Sequence, residues 1–275
     1  MAPGLPTQGS ALGITGPTGA PGRTFLSINL ALALRAEGMS VALVDADPHL
    51  GCVAVQLDLA EDRSLVYLAH EATLKAVDDE LISRHLQPTL GLDVLAGRSV
   101  AVTGEIVAGA LLRDVLHRLR RRYDVVVVDI GALECRASQS TALECQMLVW
   151  AMVSTKVGAD LLDRTLSSPL ASQVRTRPSL VVVNRLGTPS LRDVDSGLRR
   201  RYGMAVAAAI PDDRRACVAA EDNARPAVLR GSLAPSLRRC GRTVAAALLR
   251  TASGPRLEVE GERSLSRPAL MGERP

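Results

Sequence analysis

The chain has 275 residues, 47% of them hydrophobic, enough to bury a large core, and one large α/β domain is expected rather than two small ones. Its five cysteines (Cys52, Cys135, Cys145, Cys217, Cys240) are scattered, odd in number and without a C-x-x-C pair. That suggests neither a disulfide framework nor a zinc site, and the cysteines read as small buried apolar residues of a reducing compartment. The net charge of +4 is mild, and the basic clusters at 118–122, 199–201 and 238–242 fall on helical stretches, where solvated helix faces account for them better than a nucleic-acid surface. Of the 33 basic residues only Lys75 and Lys156 are lysines, a compositional arginine bias.

Residues 1–10 lack periodicity and are expected to form a disordered tail. Short β-branched or apolar runs then stand at 12–15, 41–45, 92–95, 125–129, 147–153, 179–184 and 205–210, mostly separated by amphipathic stretches of helical period. The alternation predicts a three-layer α/β fold over residues 11–251, a mainly parallel sheet with helices on both faces. In the first helix Leu26, Leu30, Ala33 and Leu34 line one face and Gly38 stops it. The most apolar window, MLVWAMV at 147–153, is too short to span a bilayer, and no charged-then-apolar leader opens the chain, so a cytoplasmic protein is expected. The last helical stretch, 235–250, carries Leu237, Val244 and Leu248 at core spacing, and 252–275 reads as a second polar tail.

In an open parallel sheet, ligands sit beyond the carboxyl ends of the strands. After the first run comes Gly16-x-x-Gly19-x-x-Gly22-Arg23-Thr24, followed at once by a helix. Glycines let backbone N–H groups turn toward a phosphate, the helix N-terminus adds positive potential, and a first-turn hydroxyl can ligate magnesium. The second run ends in Asp45-Ala46-Asp47, and the fourth, YDVVVVDIG, delivers Asp129 beside Gly131, the form of a buried strand that brings an acid to a phosphate-bound metal. Asn184 in VVVNR and Pro211 in AIPDD end later strands of the same crevice.

This joint pattern resembles the MinD/ParA group of deviant P-loop ATPases, whose first loop reads K-G-G-x-G-K-[ST]-[ST]. The matching stretch is Thr18-Gly19-Ala20-Pro21-Gly22-Arg23-Thr24-Phe25, followed by NLALAL, VALVDADPHLG, YDVVVVDIG, VVVNRL and IPDD. Within the group the chain looks most like the CpaE/TadZ-type proteins that place pilus or secretion machinery. The resemblance implies ATP or ADP with Mg2+ as ligands. Residues 18–25 would form the phosphate loop, with Gly19, Gly22, Arg23 and Thr24 on the phosphates and Thr24 also on the metal. Asp45 and Asp129 would hold the metal's waters, Asp47 would orient the attacking water, and Asn184 and Pro211 would face adenine.

Three departures stand out. The family's signature lysine, which reaches a partner subunit's phosphate, falls on Thr18; the loop lysine falls on Arg23; a hydroxyl residue falls on Phe25. Arginine keeps the charge but is planar and bulkier, so binding is expected to survive better than hydrolysis. The resulting expectation is a nucleotide-binding positioning or assembly factor with weak or absent hydrolysis, served by a protein partner that recruits it to the membrane if it goes there, and monomeric or dimeric independently of nucleotide. The alternatives are an active ParA-like ATPase for DNA partitioning and a scaffold that has lost its nucleotide. A nicotinamide-dependent dehydrogenase is disfavoured, because the loop is not G-x-G-x-x-G and no tyrosine has a lysine four residues on.

Overall fold

A computed structural model describes residues 8–19, 21–49, 51–97, 109–186 and 191–252. The elements run β1 (Ser10–Gly16), α1 (Arg23–Ala36), β2 (Val41–Asp45), α2 (Val53–Gln56), α3 (Leu65–Ala72), α4 (Asp79–His85), β3 (Gln87–Thr89), β4 (Leu92–Leu95), α5 (Gly109–Arg120), β5 (Val125–Ala132), α6 (Arg136–Glu144) and β6 (Met147–Val153). Then follow α7 (Lys156–Ser167), α8 (Ala171–Val174), β7 (Ser179–Leu186), α9 (Leu191–Tyr202), β8 (Ala205–Pro211), α10 (Arg214–Asp222) and α11 (Ala234–Ala252). Of the expected tails, residues 1–7 and 253–275 lie outside the described residues; Ser10 opens β1 and Ala252 closes α11.

The strands form one sheet in the order β3-β4-β2-β5-β1-β6-β7-β8, parallel throughout except at β3. Period-two alternation sends successive residues to opposite faces. Val125, Val127, Leu12 and Ile14 meet α1 and α11 on one side, while Val126, Val128, Trp150 and Met152 meet the side covered by α3 to α8. Both faces are therefore apolar, as a parallel sheet between two helical layers requires. The sequence missed β3, whose Gln87-Pro88-Thr89 carries no strand pattern; Pro88 is tolerated because this strand is a sheet edge.

The sequence also placed only one face of α1 in the core, whereas every residue from Leu26 to Leu34 is buried. Packing under α11 closes the second side. The two polar residues this traps are satisfied: the Ser27 hydroxyl donates to Arg23 O, and Asn29 donates to Phe25 O while accepting from Val228 N. At Gly38, φ is +89°, the left-handed turn that ends a helix.

Where α11 crosses α1, a Cβ on Gly241 would lie 2.5 Å from the Cβ of Ala33. Gly241→Val is thus expected to lower stability by about 1–3 kcal/mol through overpacking. Urea unfolding checks it, and adding Ala33→Gly should recover part of the loss; an unchanged midpoint in Gly241→Val would contradict the crossing geometry.

Candidate functional site

The crevice lies at the carboxyl ends of β1, β2, β5, β7 and β8. Its loop begins at Gly16, where a Cβ would meet Ala151 O at 2.5 Å, so the chain must leave the sheet as glycine. Gly19 and Gly22 hold φ of +89° and +82°, the left-handed conformation glycine adopts without penalty. Gly22 is the N-cap of α1, and no side chain caps the helix there. The first-turn N–H groups of a long helix are thereby left to an external acceptor, in the field of the helix dipole.

Asn184 reaches this loop from the end of β7. Its Nδ2 donates to Pro21 O at 2.9 Å, its Oδ1 accepts from Arg185 N at 3.0 Å, and a Cβ on Gly22 would lie 2.3 Å from the amide nitrogen. The amide thus braces the loop, and its residue lines the cavity as well. Thr18 and Gly19 are exposed on the loop, Pro21 is buried, and Ala20 lies outside the described residues. The Arg23 guanidinium folds back along the loop, with Nη1 donating to Pro17 O at 2.5 Å.

Two carboxylates lie side by side beneath the loop, because Asp45 and Asp129 are register partners on β2 and β5. Both are fully buried. Asp45 accepts from Asp47 N at 3.3 Å and Val53 N at 3.1 Å. Asp129 accepts from Gly131 N at 3.4 Å and from the Thr24 hydroxyl. Its Oδ2 is buried with no partner. Burial, joined by the charge of Asp129, pushes the Asp45 carboxyl up to about 8; burial pushes Asp129 up to about 6, against the Thr24 hydrogen bond that favours its ionised form. Asp47 stands above Gly131, where a Cβ would lie 2.3 Å from its carboxylate, and Gly131 has φ of +74°.

Gly22, Arg23, Thr24, Phe25, Asp47, Asn184 and Pro211 line one open cavity of about 450 Å3. Asp45 and Asp129 lie below it. Sequence reasoning missed several residues of its wall. His49 and Glu134 pair at 3.4 Å between the loops after β2 and β5, and Cys52 and Cys217 are half-buried at the rim rather than core residues. Arg185 and Asp212 also line it and stood unassigned within VVVNRL and IPDD; Glu134 carried no motif signal. A larger open cavity, about 730 Å3, lies between α7 and α9 and contains none of the predicted site residues.

An orphaned buried carboxylate oxygen beside a threonine hydroxyl and a second carboxylate is a hard-oxygen donor set that suits Mg2+. Among the described residues no group of three or more His, Cys, Asp or Glu forms a complete cage. No described helix is long and apolar enough to cross a membrane.

The domain family described as CobQ/CobB/MinD/ParA nucleotide binding domain matches residues 12–227. The solved cell division ATPase MinD of Pyrococcus furiosus is similar at a TM-score of 0.71 and 21% identity, covering 86% of this chain and 99% of that one. The septum site-determining protein MinD of Pyrococcus horikoshii, solved with Mg-ADP, is similar at 0.68 and 19%, covering 86% and 95%. At these identities the likeness is one of fold. The putative tyrosine-protein kinase EpsB of Ralstonia solanacearum is 30% identical over 117 residues, which are 42% of this chain and 15% of that protein.

The upward shifts of the buried pair fix a sign. The folded chain holds more protons than the unfolded one, so the pair's contribution to stability is complete below about pH 4 and is lost as the pH rises through about 6 and about 8. Without nucleotide or metal, the urea midpoint is expected to fall between about pH 5.5 and about pH 8.5, and Asp45→Asn, isosteric with the protonated acid, to flatten that fall. A midpoint constant over this range in the parent chain would contradict the burial of the pair.

Proposed function

Because the chain belongs to the CobQ/CobB/MinD/ParA nucleotide binding domain family, we propose that it is a nucleotide-responsive positioning or assembly factor that binds ATP or ADP with Mg2+ and hydrolyses ATP slowly or not at all. The observation that carries this reading is the juxtaposition of an uncapped α1 N-terminus with the orphaned Oδ2 of Asp129. One end offers donors to a phosphate and the other offers a carboxylate to a cation. Thr24, Asp45 and Asp129 would hold the metal, which when bound neutralises phosphate charge. Gly19, Gly22, Arg23 and Thr24 would hold the phosphates, and Asp47 would orient water. Pro211 and Asn184 stand at the end of the cavity left for the base, with the Asn184 amide already committed to Pro21 and the main chain.

Slow hydrolysis follows from the loop's chemistry. Losing one well-aimed transition-state donor costs on the order of 10²–10³ in rate. Thr18 carries no charge, Arg23 replaces a compact ammonium by a planar fork, and Phe25 offers no hydroxyl. The work that remains is to read nucleotide occupancy and pass it to a protein partner, in placing pilus or secretion machinery or at a cell pole or septum, with any membrane recruitment through that partner. A second reading draws on the relatives named as tyrosine kinases: the same cradle would pass the terminal phosphoryl group to a tyrosine hydroxyl instead of water.

Isothermal titration with and without Mg2+ tests binding: Thr24→Ala and Asp129→Ala are each expected to weaken Mg2+-nucleotide binding about three- to tenfold, and unchanged affinities in both would misplace the site. Steady ATP turnover is expected near background, and the triple variant Thr18→Lys, Arg23→Lys, Phe25→Thr should raise it. Robust parent turnover that Asp47→Ala abolishes would overturn slow hydrolysis. Phosphotyrosine formed from ATP would favour the kinase reading.

A further inference from the structure

The loop from Gly16 to Phe25, GPTGAPGRTF, carries one positive side chain, Arg23. Its guanidinium is committed unequally. Nη1 donates to Pro17 O at 2.5 Å, whereas Nε is buried with no partner. A buried N–H without an acceptor is a standing cost of the ligand-free fold, removed when an anion's oxygen takes the position. The buried carboxylate of Asp129 is not that acceptor. Asp129 feels the Arg23 charge, yet its own Oδ2 is also buried and unpartnered. An orphaned cationic donor and an orphaned carboxylate therefore share one site without meeting, beside the uncapped first turn of α1.

The geometry of a guanidinium decides what the open donor takes. Nε–H and one Nη2–H lie parallel along one edge, which matches two oxygens of a single phosphate group. With Nη1 held on the main chain, the plane cannot turn to share its donors between two successive phosphates. A lysine ammonium is different: a compact charge with three rotatable donors on a flexible stem can stand between two phosphate groups and so reward the outer one. On the described wall of the cavity, Arg185 acts on Cys217 at the rim and His49 pairs with Glu134, whereas Arg23 is the positive side chain carried by the phosphate loop itself.

We propose that Arg23, anchored through Nη1 on the Pro17 carbonyl, grips only the one phosphate group seated in the loop with its Nε–Nη2 edge, so that the site takes nucleoside diphosphates and triphosphates with nearly equal affinity. This deepens the nucleotide-binding reading above and rests on it. The consequence is that occupancy, rather than the presence of a terminal phosphate, is the state a partner reads. An unhydrolysed triphosphate and its diphosphate then hold the loop alike, and hydrolysis does not reset the protein.

Isothermal titration of the full chain with AMP, ADP and ATP, each with Mg2+, tests this. The parent chain is expected to bind ADP and ATP within about threefold of each other and AMP at least about tenfold more weakly. Arg23→Lys should shift the ADP-to-ATP ratio toward ATP by about fivefold or more, and Arg23→Gln should weaken both by a similar factor. A parent preference for ATP of about tenfold or more overturns the proposal, as does an Arg23→Lys ratio equal to the parent's. Thermal melts report whether each variant folds, and the parent ratio decides the matter if one does not. Failure of the parent to bind any of the three nucleotides instead overturns the nucleotide-binding reading itself, which keeps the two failures distinct.

Discussion

Two carboxylates held side by side in a buried parallel sheet constrain everything around them. Asp45 and Asp129 are register neighbours with no solvent access, and two adjacent buried charges are expensive unless protons, hydrogen bonds or a cation compensate. The surrounding chain is shaped by that demand. Gly51 and Gly97 close against Asp45, where a Cβ would approach its carboxylate to 2.6 and 2.8 Å. The turn after β2 folds back so that the N–H groups of Asp47 and Val53 point at Asp45. On the other strand, the left-handed Gly131 brings its N–H to Asp129 and leaves room for Asp47 above it. One oxygen, Oδ2 of Asp129, is left unsatisfied at the end of this arrangement.

The same demand explains why the strands themselves were so legible. A strand covered on both faces must be apolar at every position except where it ends, so VALVD and VVVVDIG announce both their structure and their acids. The β2, β4, β5, β6, β7 and β8 runs start where the sequence reading began them, and the carboxylates fall at the end of β2 and within β5 two residues before its glycine. Glycine spacing likewise marked the loop, because Gly19 and Gly22 need positive φ and no side-chain residue meets that need as cheaply.

What stayed hidden has a common cause: contacts between segments far apart in the chain leave no local pattern. The all-round burial of α1 depends on α11, far later in the chain, and the partner of its buried Asn29 is Val228 N, 199 positions on. Asn184 was legible as a strand-end residue, but its bond to Pro21 O spans 163 positions. Glu134 and His49 find each other only because β5 and β2 are neighbours in space. The edge strand β3 is invisible for another reason: it is three residues long, contains proline and is paired on one side only.

Loop coupling is the last consequence of burying the pair. Leu133 N donates to Gly16 O at 3.2 Å, tying the loop after β5 to the one before α1, and His49 N donates to Asp47 at 2.9 Å while its ring meets Glu134. The Thr24 hydroxyl joins α1 to Asp129. Three loops that each leave a different strand are thus hydrogen-bonded to one another around the two acids. A ligand that draws Thr24 or the orphaned Asp129 oxygen toward itself acts on all three at once, since packed elements with shared polar groups move together rather than yielding one bond at a time. The interior link is buried, whereas the His49–Glu134 pair is half-exposed and weak by itself. The stiff end of the network therefore lies at the buried carboxylates and the compliant end at the surface, at His49 and Glu134.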